Sequence, residues 1–382
     1  MKWNFDRNYP GIDDLRSRAK KRIPGFAFEY LDGGCNEDVN LHKNTCDLRE
    51  VELIPHYLVP PPATSLKTNL WGHEYDAPFG MAPIGLQGLM WPNAPEILAR
   101  AALQHNIPFT LSTVTTSSIE RIAELTEGRA WFQLYHPADV ALRNDLLARL
   151  QAAQYPVLVL LCDVPSFGYR PRDIRNGLAM PPRMTWRNIL QMASRPVWAW
   201  QTLCHGQPEF ATLKPYMPKT LNMRQLGQFM DKTFAGRLDR DKIATIRDTW
   251  KGKLVLKGVA SEYDADLAVD LGLDGIIVSN HGGRQIDVGE SAIHSLQRLA
   301  AKYRPRLTVM MDSGVRSGPD VARAMASGAQ FVFLGRTFMY GVAALGNPGA
   351  DHTVGMLKTQ LEQVLNQVGC ASPATLEKFL RP

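Results

Sequence analysis

PVLVLLCD, residues Pro156 to Asp163, is an apolar run too short for a core helix and without the polar alternation of a half-exposed strand. Such a run suits a parallel strand buried on both faces, because helices cover its outer side. Seven more runs of this kind lie on either side of it: PFGMAP (78–83), PFTLST (108–113), AWFQLY (130–135), KLVLKGV (253–259), GIIVSN (275–280), LTVMMDSG (307–314) and FVFLGR (331–336). Each is followed by a polar or glycine-containing turn and a helix-length amphipathic stretch. Eight βα units close most simply into an α/β fold of the (β/α)8 type, a TIM barrel, here spanning about residues 78–345. An open doubly wound sheet is weaker, because no G-x-G-x-x-G follows the first strand and no G-x-x-x-x-G-K-[ST] occurs.

The 382 residues then form a single domain, with an N-terminal helical extension before about Leu70 and a helical closure from Asp351 to Leu380. One connection, between Asp163 and Lys253, is far too long for a βα loop, and loops of that length are usually functional or mobile. It contains an insertion after the fourth strand at about 177–224.

Composition excludes little but is consistent: 45% hydrophobic and 21% charged residues are ordinary for a large globular core. No stretch approaches the roughly 20 apolar residues of a membrane-spanning helix, and no signal-peptide core is visible at the N-terminus. The five cysteines are scattered, with no C-x-x-C spacing, which fits a reducing, cytoplasmic setting and no metal site. A net charge of +6 by itself leaves nucleic acid, membrane and acidic small molecules open.

In barrels of this class the working residues sit at the C-terminal ends of strands. Here those ends carry Ser112, Gln133, Tyr135, Asp163, Lys257, Ser279, Asn280, His281, Asp312 and Arg336, far more polar groups than helix capping requires. The last two strands run into DSGVRSG (312–318) and Gly335-Arg336. Glycines that let backbone N–H groups approach, with arginines that clamp oxygens, suit a phosphate site after strands seven and eight. In SNHGGRQID (279–287), a lone histidine after a strand would more often be structural. Followed by two glycines and Arg284, it supplies a base and a carboxylate receptor together.

These motifs, with EYLDGG, LSTVTTSS, WFQLY, GYRPRDIRNG, LVLKGV, DSGVR and FLGR between about Gly11 and Pro373, resemble the FMN-dependent 2-hydroxy acid dehydrogenases and oxidases. The likeness is nearest to the membrane-associated lactate and mandelate dehydrogenases. It implies FMN as cofactor and oxidation of an (S)-2-hydroxy acid to the 2-oxo acid. His281 is then the base, oriented by Asp163. Arg284 and Tyr30 hold the substrate carboxylate, Arg170 is a second cation, and Tyr135 bonds the substrate oxygen. Lys257 lies near flavin N1. Ser112, Gln133 and Ser279 meet the ring edge, with Ala82, Pro83, Ile84 and Gly85 on its other side. Asp312, Gly314, Arg316, Gly335 and Arg336 hold the ribityl chain and phosphate.

The chain departs from many relatives at Ile84 and Leu161, where hydroxyl residues could bond the flavin, and at Val114, where glycolate oxidase has tryptophan. Val114 and Gly85 enlarge the pocket and favour substrates larger than glycolate, with lactate and mandelate the leading candidates. The insertion holds six cations (Arg183, Arg187, Arg195, Lys214, Lys219, Arg224) against Glu209, together with Trp186, Trp198 and Trp200. Cationic charge with interfacial tryptophans suits a peripheral membrane anchor. By resemblance, electrons then pass to membrane quinone at the inner face of the cell membrane, from a homotetramer that binds no nucleic acid. Because 177–224 leaves the barrel beyond Asp163 and Arg170, anchoring and chemistry are expected to separate. Rival readings are a soluble oxidase using oxygen, and a barrel aldolase using Lys257 as a Schiff base.

Overall fold

The computed structural model describes residues 5–60, 63–179, 183–206, 208–218, 223–234 and 237–381. Parallel strands occupy all eight expected runs: Phe79–Met81, Thr110–Ser112, Trp131–Leu134, Val157–Leu161, Lys253–Val259, Gly275–Val278, Thr308–Met311 and Phe331–Leu334. The second to eighth pair in sequence order, the eighth pairs with the first, and a Met81–Phe109 bridge joins the first to the second. The ring is closed, which removes the open-sheet alternative.

Side chains alternate along a strand with period two, and in this barrel both faces are dry. Trp131, Val157, Val159, Val255, Ile277, Met310, Phe331 and Phe333 fill the inside. Their neighbours Phe132, Leu158, Leu160, Leu254, Leu256, Ile276 and Val309 pack under the helices. Continuing the inner register by two residues from Trp131, Val255, Ile277 and Met310 gives Gln133, Lys257, Ser279 and Asp312, and a further step from Ser279 gives His281. Alternation alone thus carries a polar layer up to the C-terminal mouth.

The other end is closed by an element the sequence reading lacked, an antiparallel hairpin of Thr68–Leu70 and His73–Tyr75. Leu70 and Tyr75 join the inner cluster, and the Trp71 ring lies 5.6 Å from that of Trp131. Strands of three residues are too short to show a pattern.

The N-terminal extension comprises helices Ile12–Arg22, Gly25–Asp32 and Val39–Glu50, and helix Gly349–Val368 closes the C-terminal side. Asp32 pins the extension: it accepts from Arg16 Nε and Nη2 at 2.7 and 2.8 Å and from the Tyr340 hydroxyl at 2.6 Å. Burial alone would raise its carboxyl, but these donors bring it down to about 2.

The long connection is helical, with Trp186–Ala193, Pro196–His205 and Met223–Thr233 in its course. Its inner side is bolted to the extension and to the barrel. Gln191 Oε1 accepts from Phe26 N at 2.8 Å, Arg195 Nε donates to the Ile23 carbonyl, and Trp198 Nε1 donates to the Met90 carbonyl at 3.1 Å. Trp198 is 4% exposed and edge-on to Phe26, so it is a core anchor and not an interfacial residue as the composition of the segment suggested. Residues two apart on a helix point to opposite sides, and Trp200 accordingly faces outward. Lys219 and the side chain of Arg224 lie outside the described residues. Trp198→Ala should cost about 3–5 kcal/mol of packing. The expected result is a lower Tm and faster proteolysis within 183–206, with barrel circular dichroism retained.

Candidate active site

A cavity of about 450 Å3 opens at the C-terminal mouth, and most of the expected site residues border it. Ala82, Pro83, Ile84 and Gly85 form one wall; Ser112, Gln133, Tyr135 and Lys257 lie around the strand ends. His281, Arg284, Arg170 and Tyr30 line it too, as do Asp312, Gly314, Arg316, Gly335 and Arg336, and Arg284 and Arg336 meet at the Gly33 carbonyl. Two residues stand behind the wall. Asp163 reaches the cavity only through His281, and Ser279 accepts from Lys257 Nζ and from His281 N, both at 3.0 Å, so its hydroxyl positions these two groups.

His281 Nδ1 lies 3.1 Å from Asp163 Oδ1. Burial pulls the imidazole below its ordinary value, against the charge and hydrogen bond of Asp163, and Lys257 pulls the same way as burial. Asp163 is also buried, which opposes ionisation, yet the charges of His281 and Lys257 keep its carboxyl below the usual range. The pair therefore rests as a neutral imidazole on a carboxylate, a base whose protonated form is already supported. The loop that presents it is left-handed at three successive residues, with φ of 58°, 66° and 72° at His281, Gly282 and Gly283. Gly283 is also a matter of space, since a Cβ there would lie 2.5 Å from Leu41 N.

Arg284 Nη1 donates to the carbonyls of Tyr30 and Gly33 at 2.7 and 3.1 Å, and its guanidinium lies over the Tyr30 ring. Arg170 Nε donates to the Arg284 carbonyl at 3.3 Å. Burial, then the nearby Arg170 charge, lowers the Arg284 pKa, which is the signature of a site short of an anion. Tyr135 has its pKa pushed up by burial and keeps its proton as a donor.

Lys257 Nζ pairs with Asp312 Oδ2 at 2.9 Å, an ion pair the sequence reading did not anticipate. Although burial opposes it, Asp312 and Asp163 raise the Lys257 pKa. The amine stays charged, whereas a Schiff-base nucleophile must be neutral, and the aldolase reading loses its one residue. Sequence reasoning also missed Phe210 and Met230, which border the cavity from the long connection. Their only signal was apolar character in a polar segment.

The residues present fit FMN. Gln133 Nε2 is buried without a partner while its Oε1 accepts from Ser112 Oγ at 3.0 Å, so an acceptor on the edge of a bound ring would satisfy it. After the last strand, Arg336 donates to the carbonyls of Leu31, Gly282 and Gly33. Burial, then the charges of Arg316 and Arg284, drops its pKa to about 9. Arg316 Nη1 donates to the neighbouring Val315 carbonyl at 3.0 Å. Helix Arg336–Leu345 begins at the same spot, and a phosphate there would relieve both guanidiniums at a helix N-terminus.

A charged lysine, an Asp–His base and buried arginines in want of an anion, all at the mouth of a (β/α)8 barrel, fit a flavin-dependent oxidoreductase. A family model of FMN-dependent dehydrogenases matches residues 19–381, and the chain belongs to that FMN-dependent 2-hydroxy acid dehydrogenase family. It is 36% identical over 364 residues to an L-lactate dehydrogenase of Pectobacterium atrosepticum, covering 95% of this chain and 94% of that one. With the (S)-mandelate dehydrogenase of Pseudomonas putida it shares 34% identity over 373 residues, covering 97% and 93%. The crystal structure of a monotopic membrane protein, (S)-mandelate dehydrogenase, superposes with a TM-score of 0.91 at 33% identity, covering 97% of this chain and 98% of that one. The chain is an FMN enzyme that oxidises a 2-hydroxy acid.

Arg316→Met should weaken FMN binding by roughly 10- to 100-fold, the equivalent of a charge-assisted hydrogen bond of about 1.5–3 kcal/mol. Titration of apoprotein with FMN, followed by flavin fluorescence, measures it.

Proposed function

We propose that this chain oxidises an (S)-2-hydroxy acid larger than glycolate to the 2-oxo acid and delivers the electrons to a membrane quinone. The observation that carries this reading is the His281–Asp163 pair beside a cavity that Arg284 and Arg170 also line. FMN, when bound, takes up the two electrons released as the hydroxyl-bearing carbon becomes a carbonyl. His281 accepts the proton, and Asp163 stabilises the imidazolium. Arg284, fixed by the Tyr30 and Gly33 carbonyls, grips the substrate carboxylate with Arg170 and Tyr30 beside it, and Tyr135 donates to the substrate oxygen. Lys257 supplies positive charge next to the ring. Gln133, Ser112 and residues 82–85 hold the ring, and Arg316, Arg336, Gly314 and Gly335 hold the phosphate.

Substrate size is argued from the walls. Val114, Leu178, Phe210 and Met230 are apolar and border the cavity, which suits a substrate side chain of lactate or mandelate type over hydrogen. Leu178, Ala179 and Phe210 belong to 177–224, so the earlier expectation that this segment separates cleanly from turnover needs correction. His281, Asp163, Arg284 and Tyr135 lie outside it, but its removal opens the substrate pocket.

Membrane docking is supported by the outer face of helices Trp186–Ala193 and Pro196–His205, where Trp186 and Trp200 are 74% and 66% exposed beside Leu190 and Leu203. No helix among the described residues is long and apolar enough to cross a bilayer, which leaves an interfacial mode like that named for the mandelate dehydrogenase structure. The family resemblance supports a homotetramer on the inner face of the membrane.

Anaerobic mixing with a panel of (S)-2-hydroxy acids tests the reading. Flavin bleaching should be faster with lactate or mandelate than with glycolate, and the reverse order overturns the size argument. His281→Gln should keep FMN and lose about 10²–10⁴ in the reduction rate. Because the His281 pKa lies below its ordinary 6.5, the base is neutral at pH 7. In the parent, kcat/KM should be level through neutrality and fall only as pH drops below 6.5. Trp186→Ser with Trp200→Ser should release the protein from anionic liposomes in sedimentation while substrate still bleaches the flavin.

A further inference from the structure

The left-handed run at His281–Gly283 is an unfavourable backbone for a histidine and persists only if its surroundings hold it. Ser279 Oγ and Ser313 Oγ accept from the N–H groups of His281 and Gly282 at 3.0 and 2.9 Å, and a further support is an amide pair reaching across from the N-terminal extension. Asn44 Nδ2 donates to Asn280 Oδ1 at 2.8 Å, and Asn280 Nδ2 returns a hydrogen bond to Asn44 Oδ1 at 2.7 Å. Asn280 Oδ1 also accepts from Gly283 N at 3.1 Å, closing the turn over His281, and Asn280 Nδ2 donates to Asn40 Oδ1 at 3.1 Å. Asn44 Oδ1 in turn accepts from Ala292 N at 3.0 Å, at the start of the helix Ala292–Tyr303. Both asparagines are buried, and every polar side-chain atom of the pair has a partner.

We propose that Asn44 is a positioning residue for His281, acting through Asn280. The Asn44 amide fixes the Asn280 amide, the Asn280 oxygen fixes the Gly283 N–H, and the turn so closed sets the direction of the imidazole toward Asp163. Three charges act on the ring: Asp163 after the fourth strand, Lys257 in the fifth, and Arg170 in the loop beyond Asp163. A small rotation of the turn moves His281 away from the one group that raises its pKa and leaves it to the two that lower it. Attachment of the extension to the barrel does not depend on this pair alone, because Asp287 Oδ1 accepts from Asn40 N and Asp32 ties Arg16 to Tyr340.

The inference rests on His281 being the base. Its test is stopped-flow reduction of the FMN holoenzyme by a substrate found in the panel, as a function of pH, for Asn44→Ala and Asn44→Ser, with His281→Gln run alongside. The expected result is a 10- to 100-fold slower reduction at saturating substrate, KM within about threefold of the parent, full FMN content, and an acid limb shifted to lower pH. Asn44→Ser, which restores one hydrogen-bonding group, should recover part of the rate. Parental rates with an unmoved acid limb overturn the assignment, and so does loss of FMN or of the folded state in both variants, which makes the pair a fold element only. Parental flavin reduction in His281→Gln overturns the base reading instead, a result independent of how Asn44 behaves.

Discussion

Among the described residues five cations border one cavity, Arg170, Lys257, Arg284, Arg316 and Arg336, and the carboxylates that line it with them are Asp173 and Asp312. Burying charge without a counter-charge is among the most costly things a fold can do. The strain is visible in the depressed pKa values of Arg284 and Arg336, for which burial and neighbouring arginines are the leading causes. Such an imbalance persists when ligands that are themselves anions complete the site. A phosphate against Arg316 and Arg336 and a carboxylate against Arg284 and Arg170 would supply the missing counter-charge.

The scaffold that holds these cations is built from three parts of the chain. The barrel supplies the strand ends by simple alternation. The N-terminal extension lays Tyr30 over the mouth and takes the Arg284 and Arg336 side chains onto its carbonyls at Leu31, Gly33 and Tyr30 itself. The long connection contributes Phe210 and Met230, which cluster with Leu213 against Val114 and Leu86. Neither covering element is optional, since each donates wall to the cavity and receives hydrogen bonds from the barrel.

The barrel was legible because doubly buried strands must be apolar at every position, so the eight runs stand out against amphipathic helices. The strand-end residues followed from the same rule. What escaped was anything that depends on which way a short element faces. The plug hairpin offers three residues per strand and no period. Trp198 and Trp200 look equivalent in sequence and have opposite fates, because ten residues of helix with apolar groups on both sides do not declare an inner face. Ser279 and Asp312 were recognised as site residues by their place at strand ends, but the partner they share, Lys257, comes from another strand and is a property of closure. The asparagines of the extension carry no local signal at all, since their partner lies more than two hundred residues away.

One consequence of closure bears on the chemistry directly. Asp312, Lys257, Asp163 and His281 form a chain of buried groups in which signs alternate: Asp312 pairs with Lys257, Lys257 lowers the carboxyl of Asp163, and Asp163 holds His281. With His281 neutral, two carboxylates face one ammonium, and the set carries one unbalanced negative charge in a region of low dielectric. A proton arriving on His281 brings the set to zero. Asp163 supports that proton, while burial and the charges of Lys257 and Arg170 oppose it, so the histidine is neutral at rest and its protonated form still has a partner. Lys257 sits at the centre of this balance. It opposes protonation of His281 directly and favours it indirectly by keeping Asp163 ionised, and Asp312 is what keeps Lys257 charged enough to do both.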